Sequence, residues 1–196
     1  MIAFILMFII SYFFGPDGFT SFVYIFLTSY VGHIVLHDDL FYYIPYSILH
    51  RYHHETHSLF SYVFNILSEL SQLTIALFLL PLNPWSMLFG ALMFVSIHYI
   101  NYSWLHINTY HEKHHEQVNQ NMSPDLLDVV FGTKHPDTPE FEDTTHMIPN
   151  VILCALFVFW LKQYYTSSWN RIFYYSSAIL IVVLSITSLH IILNGR

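Results

Sequence analysis

Charge is what this chain has least of. Only 10% of its 196 residues are charged, against about 25% in an ordinary soluble domain, while 55% are hydrophobic. That balance excludes a water-soluble globule and reads as an integral membrane protein. Six Lys and Arg stand against 13 acidic residues, for a formal net charge of −7. No basic stripe can form to neutralise phosphates, which excludes nucleic acid as a partner. The one cysteine, Cys154, lies in an apolar run. It has no internal partner, so nothing demands an oxidising compartment, and it reads as a small buried hydrophobe. The first apolar segment lacks a preceding basic residue and a small-residue cleavage pattern, so it is expected to be a retained helix rather than a signal peptide. No solenoid-type repeat is present.

Apolar stretches occupy residues 1–14, 19–36, 59–80, 85–105, 148–161 and 172–193. A hydrocarbon core takes roughly 17 to 25 helical residues to cross, so the third, fourth and sixth stretches are good spans, the second is adequate, and the first and fifth are short. "GPDG" at Gly15 to Gly18 and "PLNP" at Pro81 to Pro84 break neighbouring stretches into hairpins. The expectation is an all-α protein: a single membrane domain over 1–196, a helical bundle of transmembrane hairpins under a histidine-rich cytoplasmic cap. The polar stretch from about Glu116 to His146 is too short for a core of its own and belongs to that cap.

Fourteen histidines do not follow from membrane composition, since ionisable groups are costly near a bilayer. They fall in clusters, one between the second and third stretches and one after the fourth. Two crossings separate the clusters, which places both on one side. Arg51, Lys113 and Lys134 share that side, which favours the cytoplasmic face.

Residues i, i+3 and i+4 share one helix face. "HRYHH" gives His50, His53 and His54, "HEKHH" gives His111, His114 and His115, and "HIVLH" adds the i, i+4 pair His33 and His37. A doubled triplet is far rarer by chance than a single one. Imidazole suits iron, zinc, copper and nickel, and eight imidazoles exceed what one metal uses but suit two. His98 is expected to be a further ligand, because a histidine inside a span needs a partner. His106, at the end of that span, can ligate or be solvated. His57, His135, His146 and His190 lack the spacing and read as surface or interfacial histidines. Asp38, Asp39, Glu112 and Glu116 abut the ligands and either orient imidazole N–H groups or are solvated loop charges. Glu69 reads as a cavity-facing or locally paired carboxyl. Trp85, Trp104, Trp160 and Trp169 stand near segment ends as interfacial belts.

The order "HIVLH", "HRYHH", "HEKHH" with apolar hairpins between resembles the membrane fatty acid hydroxylase and sterol desaturase superfamily. "HEKHHEQVNQNMSPDLLDVVFGT" is closer still: H-x-x-H-H, then Asn121, then Asp128 three residues before Phe131, Gly132 and Thr133. The resemblance covers about residues 33–133, within a histidine-box core of about 19–133, and leaves an extra apolar hairpin of about 148–193 outside it. It implies two non-haem iron ions held by His33, His37, His50, His53, His54, His111, His114 and His115, with His98 and His106 the candidates for histidines that members add before the last box. It also implies O2 as co-substrate, a membrane lipid as substrate, electrons from NAD(P)H through a separate cytochrome b5 type carrier, and, in a eukaryotic cell, the endoplasmic reticulum. The chain departs from the family at Ile34, where members often carry Arg, and at Tyr102, where many carry a histidine four residues after the first.

The expected activity is O2-dependent hydroxylation of an unactivated C–H bond in a fatty acyl chain, sphingolipid or sterol. A desaturase is the alternative within the same chemistry. A non-enzymatic metal-binding or transport protein is the alternative outside it, and would place ligands nearer the bilayer midplane. A bis-histidine haem protein leaves two triplets unexplained.

Overall fold

The computed structural model describes residues 1–56, 58–68 and 80–194. The described residues form helices and turns with no strand: α1 Ile2–Tyr12, α2 Gly18–His37, α3 Pro45–Glu55, α4 Leu59–Ser68, α5 Pro84–Val95, a π-helix Ser96–Trp104, α6 Tyr110–Glu116, α7 Asp125–Phe131, α8 Ile148–Gln163 and α9 Ser168–Asn194. The expected all-α class is therefore found. His57, Glu69 and half of the third apolar stretch lie outside the described residues.

Among the described residues, three helices are long and apolar enough to cross a membrane: Gly18–His37, Thr144–Gln163 and Tyr174–Leu193. Ile152, Leu153, Leu156 and Trp160 on the second and Ile179, Val182 and Ile186 on the third are exposed, apolar surface that fits a hydrocarbon surround better than water. The fifth stretch, expected to be short, is lengthened by a 3-10 turn, Thr144–Met147, whose N-cap Asp143 accepts a bond from Thr145 N. The fourth, expected as one span, changes helix type instead. α5 ends at Val95 and the π-helix follows, with Leu105 N donating to Ile100 O at 2.8 Å in i→i−5 register. That register turns His98, Asn101 and Tyr102 inward together, a use of π geometry common at functional sites.

The chain packs as two compact units, Met1–Ile34 with Pro81–Gln163, and Val35–Leu80 with Tyr164–Arg196. The two arms of the expected C-terminal hairpin thus belong to different units, α8 to the first and α9 to the second.

In the first unit α5 and α1 pack on α8, and α6 packs on the π-helix. Phe4, Phe8, Phe22 and Phe26 interlock α1 with α2, at centroid distances of 5.2 to 5.7 Å for the edge-on pairs. Asn83 joins two turns. Its Oδ1 caps Trp85 N and Ser86 N at 3.1 Å, its Nδ2 donates to Pro16 O at 2.9 Å, and its backbone N donates to Ser21 Oγ at 2.8 Å. Pro84 occupies the first turn of α5, where a missing N–H is harmless.

In the second unit α3 starts on Pro45 and buries Ser47, Ile48, Leu49, His50 and His53. α9 packs on it, and Ser188 Oγ donates to Pro45 O at 3.0 Å.

The α1–α2 turn requires a residue without a side chain at Gly18, because a Cβ there would run into the Ser11 carbonyl oxygen. Gly18→Ala is expected to destabilise the protein by about 1 to 3 kcal/mol, read as a lowered thermal midpoint in detergent. An unchanged midpoint would contradict the close approach.

Candidate metal centre

Burying an imidazole is unfavourable unless each ring nitrogen finds a partner. His33, His50, His53, His98 and His114 are each no more than 6% exposed, and His37, His54, His111 and His115 are half-buried.

The second unit holds His37, His50, His53 and His54. His50 Nε2 lies 3.1 Å from His37 Nε2 and 3.2 Å from His54 Nε2, and the three residues each offer a ring nitrogen within 4.8 Å of the others. A neutral imidazole has one N–H and one lone pair, so His50 Nε2 cannot answer both neighbours with one proton. Its Nδ1 faces Asn65 Oδ1 at 3.3 Å, an acceptor that takes the Nδ1 proton and leaves the Nε2 lone pair pointing at the other two rings. Three convergent nitrogen donors fit a borderline cation, and the Asn65 contact is the kind of outer hydrogen bond that orients metal-ligating imidazoles. His53, on the same face of α3, packs its ring on Tyr62 at 4.9 Å.

Arg51, between the histidines of this box, secures His37. Its Nη2 donates to His37 O at 2.7 Å and its Nε to Leu36 O at 3.5 Å, while Nη1 bonds Asp39 at 3.0 Å. A cation on the last carbonyls of α2 is favourable with the helix dipole as well.

The first unit holds His33, His98, His111, His114 and His115. His111 Nε2 and His115 Nε2 are 2.8 Å apart, and the His33 and His114 rings meet edge-on at 4.5 Å. His98 reaches His111 at a centroid distance of 4.0 Å. His106 is not brought in. It sits exposed with φ +48° and its Nδ1 bonds Glu112 Oε1 at 3.1 Å.

His114 Nδ1 donates to Gln120 O at 2.8 Å, which again leaves Nε2 as the lone-pair nitrogen. Burial pushes the His114 imidazolium pKa down to about 4, against a smaller upward pull from the Gln120 carbonyl. Neutral imidazole is the form that ligates a metal. The segment that carries Gln120 is held by the residues of the longer motif. Asp128 accepts from Met122 N and Ser123 N, each at 2.8 Å, and from Thr133 Oγ1 at 2.7 Å. Asn121 Oδ1 accepts from His135 N at 3.0 Å and its Nδ2 donates to Tyr110 O at 3.2 Å. Gly132 ends α7 with φ +71°, the left-handed cap that glycine takes readily. Burial raises the Asp128 pKa, with its three donors opposing.

Several expectations change here. His135 and His146, expected at the surface or interface, are buried and half-buried respectively. His135 Nδ1 accepts from Asp137 N at 3.0 Å, and His146 Nε2 donates to Glu142 at 2.8 Å; a polar loop folded on itself, invisible to spacing, encloses them. His190 is exposed, as expected. Of the four acidic residues near the boxes, Asp38 caps Leu40 N, Asp39 pairs with Arg51 and Glu116 with Lys113, and Glu112 alone meets an imidazole, that of His106. The groups that do orient box histidines, Asn65 and the Gln120 carbonyl, carry no spacing signal. Asn65 was visible only as an amide in an apolar run.

Two outcomes follow from these hydrogen bonds. Asn65→Leu should weaken Co2+ binding by about ten- to a hundredfold in a titration of the detergent-solubilised chain; unchanged affinity would dismiss Asn65 as an orienting group. In metal-free protein, His114 binds its proton near pH 4 when folded and near 6.5 when unfolded. The unfolded state therefore holds more protons between those values, and stability should fall as pH drops from about 6.5 to about 4. His114→Gln should flatten that part of the thermal-midpoint profile.

Compared with protein-family models, with curated proteins and with solved structures, the chain matches none.

Proposed function

We propose that this chain is a multi-pass membrane oxidoreductase that uses O2 and two non-haem iron ions to hydroxylate an unactivated C–H bond of a lipid: a fatty acyl chain, sphingolipid or sterol. One observation carries the reading. Imidazoles of the two H-x-x-H-H boxes and of His37 turn their nitrogens on one another at 2.8 to 3.2 Å, with carbonyl oxygens holding the Nδ1 nitrogens of His50 and His114.

The residues that would hold the metals are His33, His37, His50, His53, His54, His111, His114 and His115, joined by His98. His106, exposed and paired with Glu112, is left out of the set. Bound and reduced, two such irons supply O2 activation and hydrogen abstraction. The protein's part is to keep the rings neutral, fix their tautomers and planes, and hold an alkyl chain in register, because misplacement by about an ångström changes which carbon reacts. Electrons are to come from NAD(P)H through a cytochrome b5 type carrier that meets a cytoplasmic histidine face, at the endoplasmic reticulum in a eukaryotic cell.

Anaerobically prepared protein should contain about two iron ions per chain. His53→Ala and His114→Ala should each abolish product formation while the chain still inserts in membranes. Lipid profiles of cells expressing the chain with a reductase supply, set beside a His111→Ala version, identify the substrate. A product that gains oxygen marks a hydroxylase, and one that loses two hydrogens marks a desaturase. Metal uptake with an unchanged lipid profile would replace the oxidase with a metal-binding or transport protein.

A further inference from the structure

Glu142 lies outside every histidine box, in the loop that precedes the 3-10 turn, yet its side chain is only 4% exposed. A buried carboxylate is unfavourable unless donors surround it. Here they do. Tyr102 Oη donates to Oε1 and Oε2 at 2.8 and 2.7 Å, His146 Nε2 donates to Oε1 at 2.8 Å, and Asn108 Nδ2 donates to Oε1 as well. The backbone N of Glu142 donates to Asp125 Oδ2 at 2.9 Å, and Asp125 pairs with Lys134. His146 is satisfied at its other nitrogen too, since Asn101 Nδ2 donates to His146 Nδ1 at 3.0 Å and to Asn150 Oδ1 at 3.1 Å. Among the described residues, each side-chain group bonded to the Glu142 carboxyl donates, so an acceptor-only carboxylate matches the cradle and an amide does not.

The network ends on a candidate ligand. The Tyr102 ring lies nearly parallel to that of His111, with an interplanar angle of 21° and centroids 6.3 Å apart, while His98 meets His111 edge-on at 4.0 Å. His111 is thus flanked by two rings from one π-helix. A tyrosine ring turns about two side-chain torsions, and anchoring its hydroxyl restricts both. Glu142 supplies that anchor.

We infer that Glu142 is a positioning residue for His111: through Tyr102 it fixes the plane in which the His111 imidazole is presented to a metal ion. This rests on the metal-centre reading above. The competing account is a brace, in which the same bonds only tie the loop before α8 to the π-helix.

Co2+ titration of the full-length chain in detergent, followed by the visible absorption of the bound ion, separates the two. The variants are Tyr102→Phe, which keeps the ring and removes its anchor, and Glu142→Gln, which keeps shape and misplaces a donor. Each should weaken Co2+ binding by about ten- to a hundredfold and shift the visible bands. The double variant should be no worse than the more severe single one, because both act along one path. Asn83→Ala, which removes the cap of α5 away from the histidines, should lower the thermal midpoint and leave affinity and spectrum alone. Wild-type affinity and spectrum in both single variants, whatever their thermal midpoints, would make Glu142 a brace and overturn the inference. Failure of the wild-type chain itself to take up Co2+ would instead sink the metal-centre reading, and the inference with it.

Discussion

Two imidazole nitrogens about 3 Å apart share either a proton or a cation, and a nitrogen that faces two others cannot meet both with a proton. His50 Nε2, set between His37 and His54, imposes that constraint on the second unit, and much around it serves to keep the constraint in force. Asn65 takes the proton on the far side of the ring. Arg51 ties the carbonyl of His37 to the helix that carries His50. α9 buttresses that helix through Ser188. Were the ring of His50 able to turn over, its Nδ1 proton would exchange places with the lone pair and the convergence would be lost. The amide of Asn65 is therefore as much a part of the site as the histidines.

The first unit reaches the same end by other means. α6 is only seven residues long, too short to be stable alone, so its rings must be fixed by what surrounds them. The loop after it curls back so that the Gln120 carbonyl meets His114, and Asp128 and Asn121 hold that loop by accepting and donating along its backbone. This gives the motif residues Asn121, Asp128 and Thr133 a physical role: they build the support for one histidine nitrogen and need not touch a substrate.

The box helices and the second and last spans were legible in the sequence, because each is written in local terms: i, i+3, i+4 spacing for α3 and α6, and unbroken apolar runs for α2 and α9. Proline and asparagine likewise announced the start of α5. What escaped was set by partners distant in sequence. Asn101 finds Asn150 and His146 across some fifty residues, and those bonds accompany the change to π register that divides the fourth stretch. Thr144, one of the residues that lengthen the fifth stretch, owes its burial to α1 at the other end of the chain. His146 and His135 looked superficial because neither spacing nor neighbours in sequence reveal a loop that closes over them.

The histidines differ in what their nitrogens face. His106 and His146 face carboxylates, and His135 Nδ1 faces a backbone N–H, while His135 Nε2 is buried with no hydrogen-bond partner among the described residues. His37, His50 and His54 face one another, as do His111 and His115. One shared proton satisfies a single pair such as His111 and His115, but His50 Nε2 faces two neighbours, and lone pairs brought together without a proton repel in a low-dielectric interior unless a positive charge lies between them. The Asn65 amide, the Gln120 carbonyl and Arg51 hold box residues in place, and the histidine groups so held offer a metal ion its ligands. On that argument the π-helix matters as much as the boxes, since it brings His98 and Tyr102 against His111, and the last box is then shaped by residues that its own sequence does not contain.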